Sequence, residues 1–153
     1  MIKISYTLSS DPFVLREQNG IDLASADLVD LCYSCFGGDL TFEVNDVDFS
    51  IITGGGVQIL DFAVEFYEAS RKVSSGEVGR VAFAGMADEI LLRGASPGLV
   101  EVSANYVDHS SKVPLKELEN SASAFLVELI ADLGSKYPKL RRNGNVARLS
   151  SLS

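Results

Sequence analysis

The hydrophobic pattern of the chain changes its period near residue 57, and this change constrains the fold more than any other feature. Before it, residues 40 to 51 alternate apolar with polar side chains and are interrupted by Asn45-Asp46, which predicts two strands joined as a hairpin. After it, residues 57 to 73 place polar side chains at steps of three and four, which predicts an amphipathic helix. The chain therefore passes from strand pairing to a helix within a few residues.

The same order of strands and then a helix recurs in the second half of the chain. Three strands are predicted there, over Val81 to Ala84, Ile90 to Arg93 and Leu99 to Val107. Pro114 begins a second long helix, which Gly134 and Pro138 end. Residues 2 to 8 alternate as a further strand, and residues 28 to 34 are also interpreted as one. Adjacent strands followed by helices predict an α+β fold, with an antiparallel sheet built from hairpins and two long amphipathic helices packed on it.

The length of 153 residues suits a single domain, because a chain of this size can bury most of the surface that it exposes when unfolded. Residues 1 to 138 hold the predicted strands and helices and are expected to form that domain. Residues 139 to 153 are basic and offer few apolar side chains for packing, so they are predicted to form a flexible tail.

Charge is distributed unevenly along the chain. The formal net charge is -8, and residues 17 to 70 contain eleven acids but no lysine or arginine. Such a stretch cannot offer the cations that bind phosphate, which argues against nucleic acid and favours a partner with a basic surface. Seven acids of the hairpin and first long helix are the predicted partner-binding residues: Asp39, Glu43, Asp46, Asp48, Asp61, Glu65 and Glu68. A solvated face that only maintains solubility is the alternative explanation.

Two motifs have the spacing of a metal or anion site. Cys32 and Cys35 form a C-x-x-C pair, but a structural zinc needs four ligands and His109 is the one histidine of the chain, so two buried thiols are expected and no metal. The glycines in "TGGGV" at 53 to 57 precede a helix, yet they lack a P-loop lysine and are interpreted as a flexible connection.

His109 lies in a predicted exposed loop beside Asp108, and adjacent residues cannot form a catalytic triad. No cofactor and no enzymatic activity are predicted.

The location of the protein is predicted from two further features. No apolar run reaches the roughly 20 residues that cross a bilayer, and the first residues alternate instead of forming the apolar core of a secretion signal. Two cysteines without an export signal favour a reducing compartment. A cytoplasmic protein without membrane contact is therefore expected.

Five segments follow one another in the order "GDLTFEVNDVDFSII", "VQILDFAVEFYEAS", "EILLRG", "LVEVSANYV" and "VPLKELENSASAFLVELIADL". This order resembles that of the small immunity proteins of bacterial polymorphic-toxin and contact-dependent growth inhibition systems. The resemblance covers roughly residues 38 to 135 and is one of arrangement, charge and size, without a specific motif. It implies an antitoxin-type protein that binds one cognate toxin domain, often a basic nuclease, and covers its active site. Two alternatives stay open: a small enzyme or ligand-binding protein with a pocket between sheet and helices, and a subunit of a homo-oligomer.

Overall fold

The computed structural model describes residues 1 to 152, which form two antiparallel sheets and four α-helices. The first sheet contains β1 (Ile2–Leu8), β2 (Gly37–Val44), β3 (Val47–Asp48) and β4 (Val57–Gln58). The second contains β5 (Gly79–Ala82), β6 (Glu89–Ser96), β7 (Leu99–Ala104) and β8 (Val107–Pro114). The helices are α1 (Leu28–Ser34), α2 (Ile59–Ser74), α3 (Leu115–Lys136) and α4 (Gly144–Ser150). The predicted α+β class is confirmed, although the strands form two sheets.

Strand β2 is the centre of the first sheet. It pairs with β1 over the whole length of both strands, from Ile2 opposite Val44 to Leu8 opposite Gly38. Its other edge pairs with β3 and β4, so the predicted hairpin is present, with Val44 opposite Val47. A side chain at Gly38 would meet the backbone of the neighbouring strand far inside van der Waals distance, so the β1–β2 contact requires glycine there.

The second sheet is a meander in the order β5, β6, β7, β8. The sequence interpretation of residues 99 to 107 as one strand is wrong, because the chain turns after Ala104 and returns as β8 from Val107. His109 therefore lies in this last strand, where its side chain is exposed, and not in a loop. Five of the eight residues of β8 carry polar side chains, so its sequence lacks the apolar alternation by which strands are usually recognised.

Helix α2 joins the two sheets through a cluster of phenylalanine rings. The ring of Phe42 in β2 lies 5.8 Å from that of Phe62 and 5.4 Å from that of Phe66 in α2. Phe62 also stacks on Phe83, which follows β5, at 5.7 Å, and meets Phe125 of α3 edge-on at 5.8 Å. Aromatic rings of this size contribute much of the apolar burial of a core, so α2 holds sheets and helices in one domain.

The interpretation of residues 28 to 34 as a strand is wrong, because they form helix α1. The Asp27 carboxylate accepts the N–H of Asp30 at 2.8 Å, which satisfies one of the free amides of the first turn. Leu31 and Cys32 are buried, and Leu28 packs against the core at helical spacing from them. A cap and one buried face make this short segment helical despite its apolar run.

The prediction of a flexible tail is wrong for residues 139 to 152, while Ser153 lies outside the described residues. A 3-10 turn over Pro138–Arg142 leads into α4, and Leu140, Val146 and Leu149 are buried in the core. The Asn143 side chain is buried as well; it donates to the carbonyl oxygens of residues 23 and 26 at 2.9 Å each and caps α4 through Oδ1. This segment therefore completes the domain that residues 1 to 138 begin.

Within residues 1 to 152, no helix combines the length and the apolar character that crossing a bilayer requires.

Candidate functional site

The seven acids predicted to bind a partner fall into two groups, one on the first sheet and one on α2. The Phe42 ring packs on α2, and side chains alternate along a strand, so Asp39 and Glu43 point to the opposite, outer face of the sheet. Asp48 lies directly opposite Glu43 in the ladder and shares that face, while Asp46 is exposed in the turn between them. The first sheet thus separates these four acids from the acids of α2.

Two acids of the sheet group are engaged by backbone amides of neighbouring loops. Asp39 Oδ1 accepts the N–H groups of Thr53 at 3.1 Å and Gly55 at 2.9 Å, so the glycine-rich loop holds an anion from the protein itself. Asp48 Oδ1 accepts the N–H of Ser50 at 2.9 Å, and hydrogen bonds from Ser50 lower the pKa of Asp48. These two carboxylates shape loops, which gives them a role that needs no partner.

The α2 group forms what we call the acidic stripe: Asp61, Glu65 and Glu68. Steps of four and three place them along one side of the helix, with Asp61 only 6% exposed, Glu65 half-buried and Glu68 exposed. The ion pairs found within residues 1 to 152 join Met1 to Glu117 and Arg80 to Glu89, and neither includes the stripe. Its carboxylates therefore face one another without a cation bound between them.

This arrangement makes the charged form of the stripe unfavourable. Burial raises the pKa of Asp61 to about 7, and the charges of Glu65 and Glu68 add to the effect. Burial and the charge of Glu68 also raise the pKa of Glu65, while the charge of Lys72, one turn beyond Glu68, lowers it. Like charges at this spacing destabilise a helix, so a cation placed beside the stripe would relieve an existing repulsion.

Helix α1 flanks the acidic stripe. The ring of Tyr33 is 52% exposed, and the carboxylate of Asp61 is the main reason why the pKa of the Tyr33 phenol is raised. Behind it, Cys32 and Cys35 are free, buried thiols, as predicted, and burial raises their pKa values to about 12 and about 11. Thiols in this state react poorly as nucleophiles. Among residues 1 to 152, no three His, Cys, Asp or Glu side chains are grouped to hold a metal ion.

An open groove of about 370 Å³ lies where α1 approaches the start of α2. Its walls include the ring of Phe13, which is 76% exposed, together with Tyr33, Arg16 and Glu17. Gln58, the residue before α2, lines it too, and its Oε1 atom is buried without a hydrogen-bond partner in the described chain. The helical spacing of residues 57 to 73 includes Gln58 as a polar position, but the structure places Gln58 in β4, and only the fold brings loop residues 13 to 17 to it.

No protein-family model, curated protein or solved structure matches the chain. The geometry of its surface must therefore support any function. The acidic stripe and the groove are neighbours on the surface. Tyr33 lines the groove, and the charge of Asp61 is the largest cause of the raised pKa of Tyr33.

Proposed function

We propose that the chain is an immunity protein of the antitoxin type, which binds and neutralises a cognate toxin domain with a basic surface, such as a nuclease. The observation that carries the proposal is the acidic stripe: three carboxylates on one helix face, one of them buried, with no cation paired to them in residues 1 to 152. A basic surface docked there replaces mutual repulsion with attraction. Association would be fast and sensitive to salt.

The acidic stripe supports this function better than the acids of the sheet do. Asp39 and Asp48 are engaged by their own loops, whereas no ion pair within residues 1 to 152 includes a stripe carboxylate. The stripe also lies on the helix that holds the core together, so its geometry is fixed before a partner arrives. We therefore place the interface on α2 and its flank α1, and not on the outer face of the first sheet.

A growth assay tests the proposal. The toxin domain encoded beside the gene of this protein is expressed alone or together with the chain, and growth is expected only when the chain is present. Purified components then give the affinity by calorimetry. The proposal is wrong if no neighbouring product is toxic, or if the wild-type chain does not restore growth.

Matched charge reversals locate the interface. The variant Glu65→Lys/Glu68→Lys should weaken toxin binding by about 100-fold or more, because each reversed charge repels a basic partner. The control Glu43→Lys/Asp46→Lys changes the charge by the same amount on the other acidic group, and should alter affinity by less than about threefold. Equal losses in both variants would show that overall charge attracts the partner without a defined site on α2.

A further inference from the structure

The groove beside the acidic stripe has chemistry that the stripe alone lacks. Its lining includes two exposed aromatic rings, those of Phe13 and Tyr33, the carboxylate of Glu17, and Gln58, whose amide oxygen has no partner within residues 1 to 152. The charge of Asp61 acts on Tyr33 from outside the lining. A single arginine side chain interacts favourably with all of these groups: its planar guanidinium stacks on rings, and its N–H groups donate to amide and carboxylate oxygens. We infer that this groove takes one arginine of the basic partner as the anchor of the interface.

The unpaired oxygen of Gln58 is the most specific sign of a missing donor. Buried polar atoms of folded proteins nearly always have a hydrogen-bond partner, because an unsatisfied one loses its hydration without compensation. Gln58 lines the groove, and we expect its side chain to turn so that the buried Oε1 meets a donor that enters there. A guanidinium N–H is such a donor.

Charge favours a cation in the groove. Gln58 is the extended residue that precedes α2, and Asp61 and Glu65 lie four residues apart on one side of the helix that follows. The amides at the start of α2 oppose a cation with about half a unit charge. Within the groove the charges of Arg16 and Glu17 offset each other, and Arg16 stacks over Phe13 with its guanidinium carbon 5.4 Å from the ring centre. The charge of Asp61 and, more weakly, that of Glu65 raise the pKa of Tyr33, so the side of the groove at Tyr33 favours a cation. The free wall for the incoming side chain is therefore that of Tyr33.

An arginine is a better occupant than a lysine. A lysine ammonium is compact and strongly hydrated, whereas a guanidinium is planar, stacks on an aromatic ring and donates in two directions at once. Here the ring of Tyr33 and two oxygen acceptors of the lining, on Gln58 and Glu17, suit that shape. Interfaces commonly place their strongest contact in such a pocket and surround it with weaker polar contacts. The acidic stripe would supply those surroundings.

A titration with a small probe tests the groove without the toxin. N-acetyl-arginine methylamide is added to isotope-labelled protein at low ionic strength, and NMR shifts are expected for Tyr33 and for the side-chain amide of Gln58. The variants Tyr33→Ala and Gln58→Leu should each weaken binding of the probe by about threefold or more, while the control Glu43→Gln should bind as the wild type does. Amide dispersion of each variant shows that it is folded.

Three results would overturn the inference. One is an absence of shifts at the groove, and another is an equal response of the outer face of the first sheet. The third is equal binding of N-acetyl-lysine methylamide, which would show a general cation effect.

The inference rests on the proposed function for the identity of the partner, and the two are separable. If the toxin is neutralised but Tyr33→Ala/Gln58→Leu leaves its affinity unchanged, the anchor is wrong and the proposed function stands. If the arginine probe binds the groove but no toxin is neutralised, the site is right and the proposed function is wrong.

Discussion

The substitution Asp61→Asn should stabilise the folded chain at pH 8, although it removes a negative charge from a helix of an acidic protein. Burial raises the pKa of this carboxyl from 3.8 to about 7, with the charges of Glu65 and Glu68 adding to it. The folded state therefore holds the proton more tightly than the unfolded state does. As the pH rises from about 4 to about 7, the unfolded chain ionises first, so the free energy of unfolding falls over that window.

The magnitude follows from the size of the shift. One pKa unit corresponds to about 1.4 kcal/mol, so the full shift corresponds to roughly 4 kcal/mol above pH 7. The positive end of the α2 dipole and relaxation of neighbouring side chains reduce the effect, and we expect about 2 to 3 kcal/mol. Urea denaturation at about pH 8 and about pH 4.5 measures it. The advantage of the asparagine variant should shrink to about 1 kcal/mol or less at the lower pH, where most folded Asp61 is protonated.

The control for this experiment is Asp108→Asn, which makes the same chemical change at an exposed position of β8. It should alter the free energy of unfolding by less than about 0.5 kcal/mol at either pH. If Asp61→Asn is no more stable than the wild type at pH 8, or if its advantage is the same at both pH values, the carboxylate is not held in an unfavourable charged state. The main support for a cationic partner would then be lost.

Three further outcomes test other parts of the structure. Gly38→Ala should cost about 2 kcal/mol or more in urea denaturation because its Cβ meets the backbone of β1, whereas Gly94→Ala, with open space around it, should be near neutral. Asn143→Ala should lower the free energy of unfolding by about 2 to 3 kcal/mol, since buried carbonyl oxygens lose their donor and α4 loses its cap; an unchanged melting curve would contradict this. Cys32 and Cys35 should react slowly with a disulfide reagent at pH 8 in the native chain and rapidly in concentrated guanidinium, and fast native reaction would contradict their burial.

The elements with strong periodicity could be predicted from the sequence. The β2–β3 hairpin and helix α2 follow directly from alternation and from a repeat of three and four. The sequence of helix α1 predicts a strand because seven residues are too few to separate the two periods, although Asp27 is a suitable cap. The sequence of α4 also contains a suitable cap, Asn143, and two apolar residues at helical spacing, Val146 and Leu149. The many basic residues around them favour the prediction of a flexible tail.

The candidate site was only partly accessible to sequence reasoning. Composition pointed to acids between residues 17 and 70, and the acidic stripe followed from helical spacing. The separation of Glu43 from that stripe depends on which face of β2 meets α2, and this is decided by packing on Phe42. The groove depends on contacts between segments that are distant in sequence, and the unpaired oxygen of Gln58 is a property of the packed state alone.

The position of the acidic stripe on α2 also bears on how partner specificity can change during evolution. Phenylalanine contacts fix the buried side of this helix, whereas Glu65 and Glu68 lie outside that packing. Substitutions at these two positions leave the phenylalanine contacts intact, and those that remove a negative charge also reduce the repulsion of Asp61. The helix therefore separates residues that the fold requires from residues that can vary, and under the proposed function the variable ones would be those that recognise the toxin.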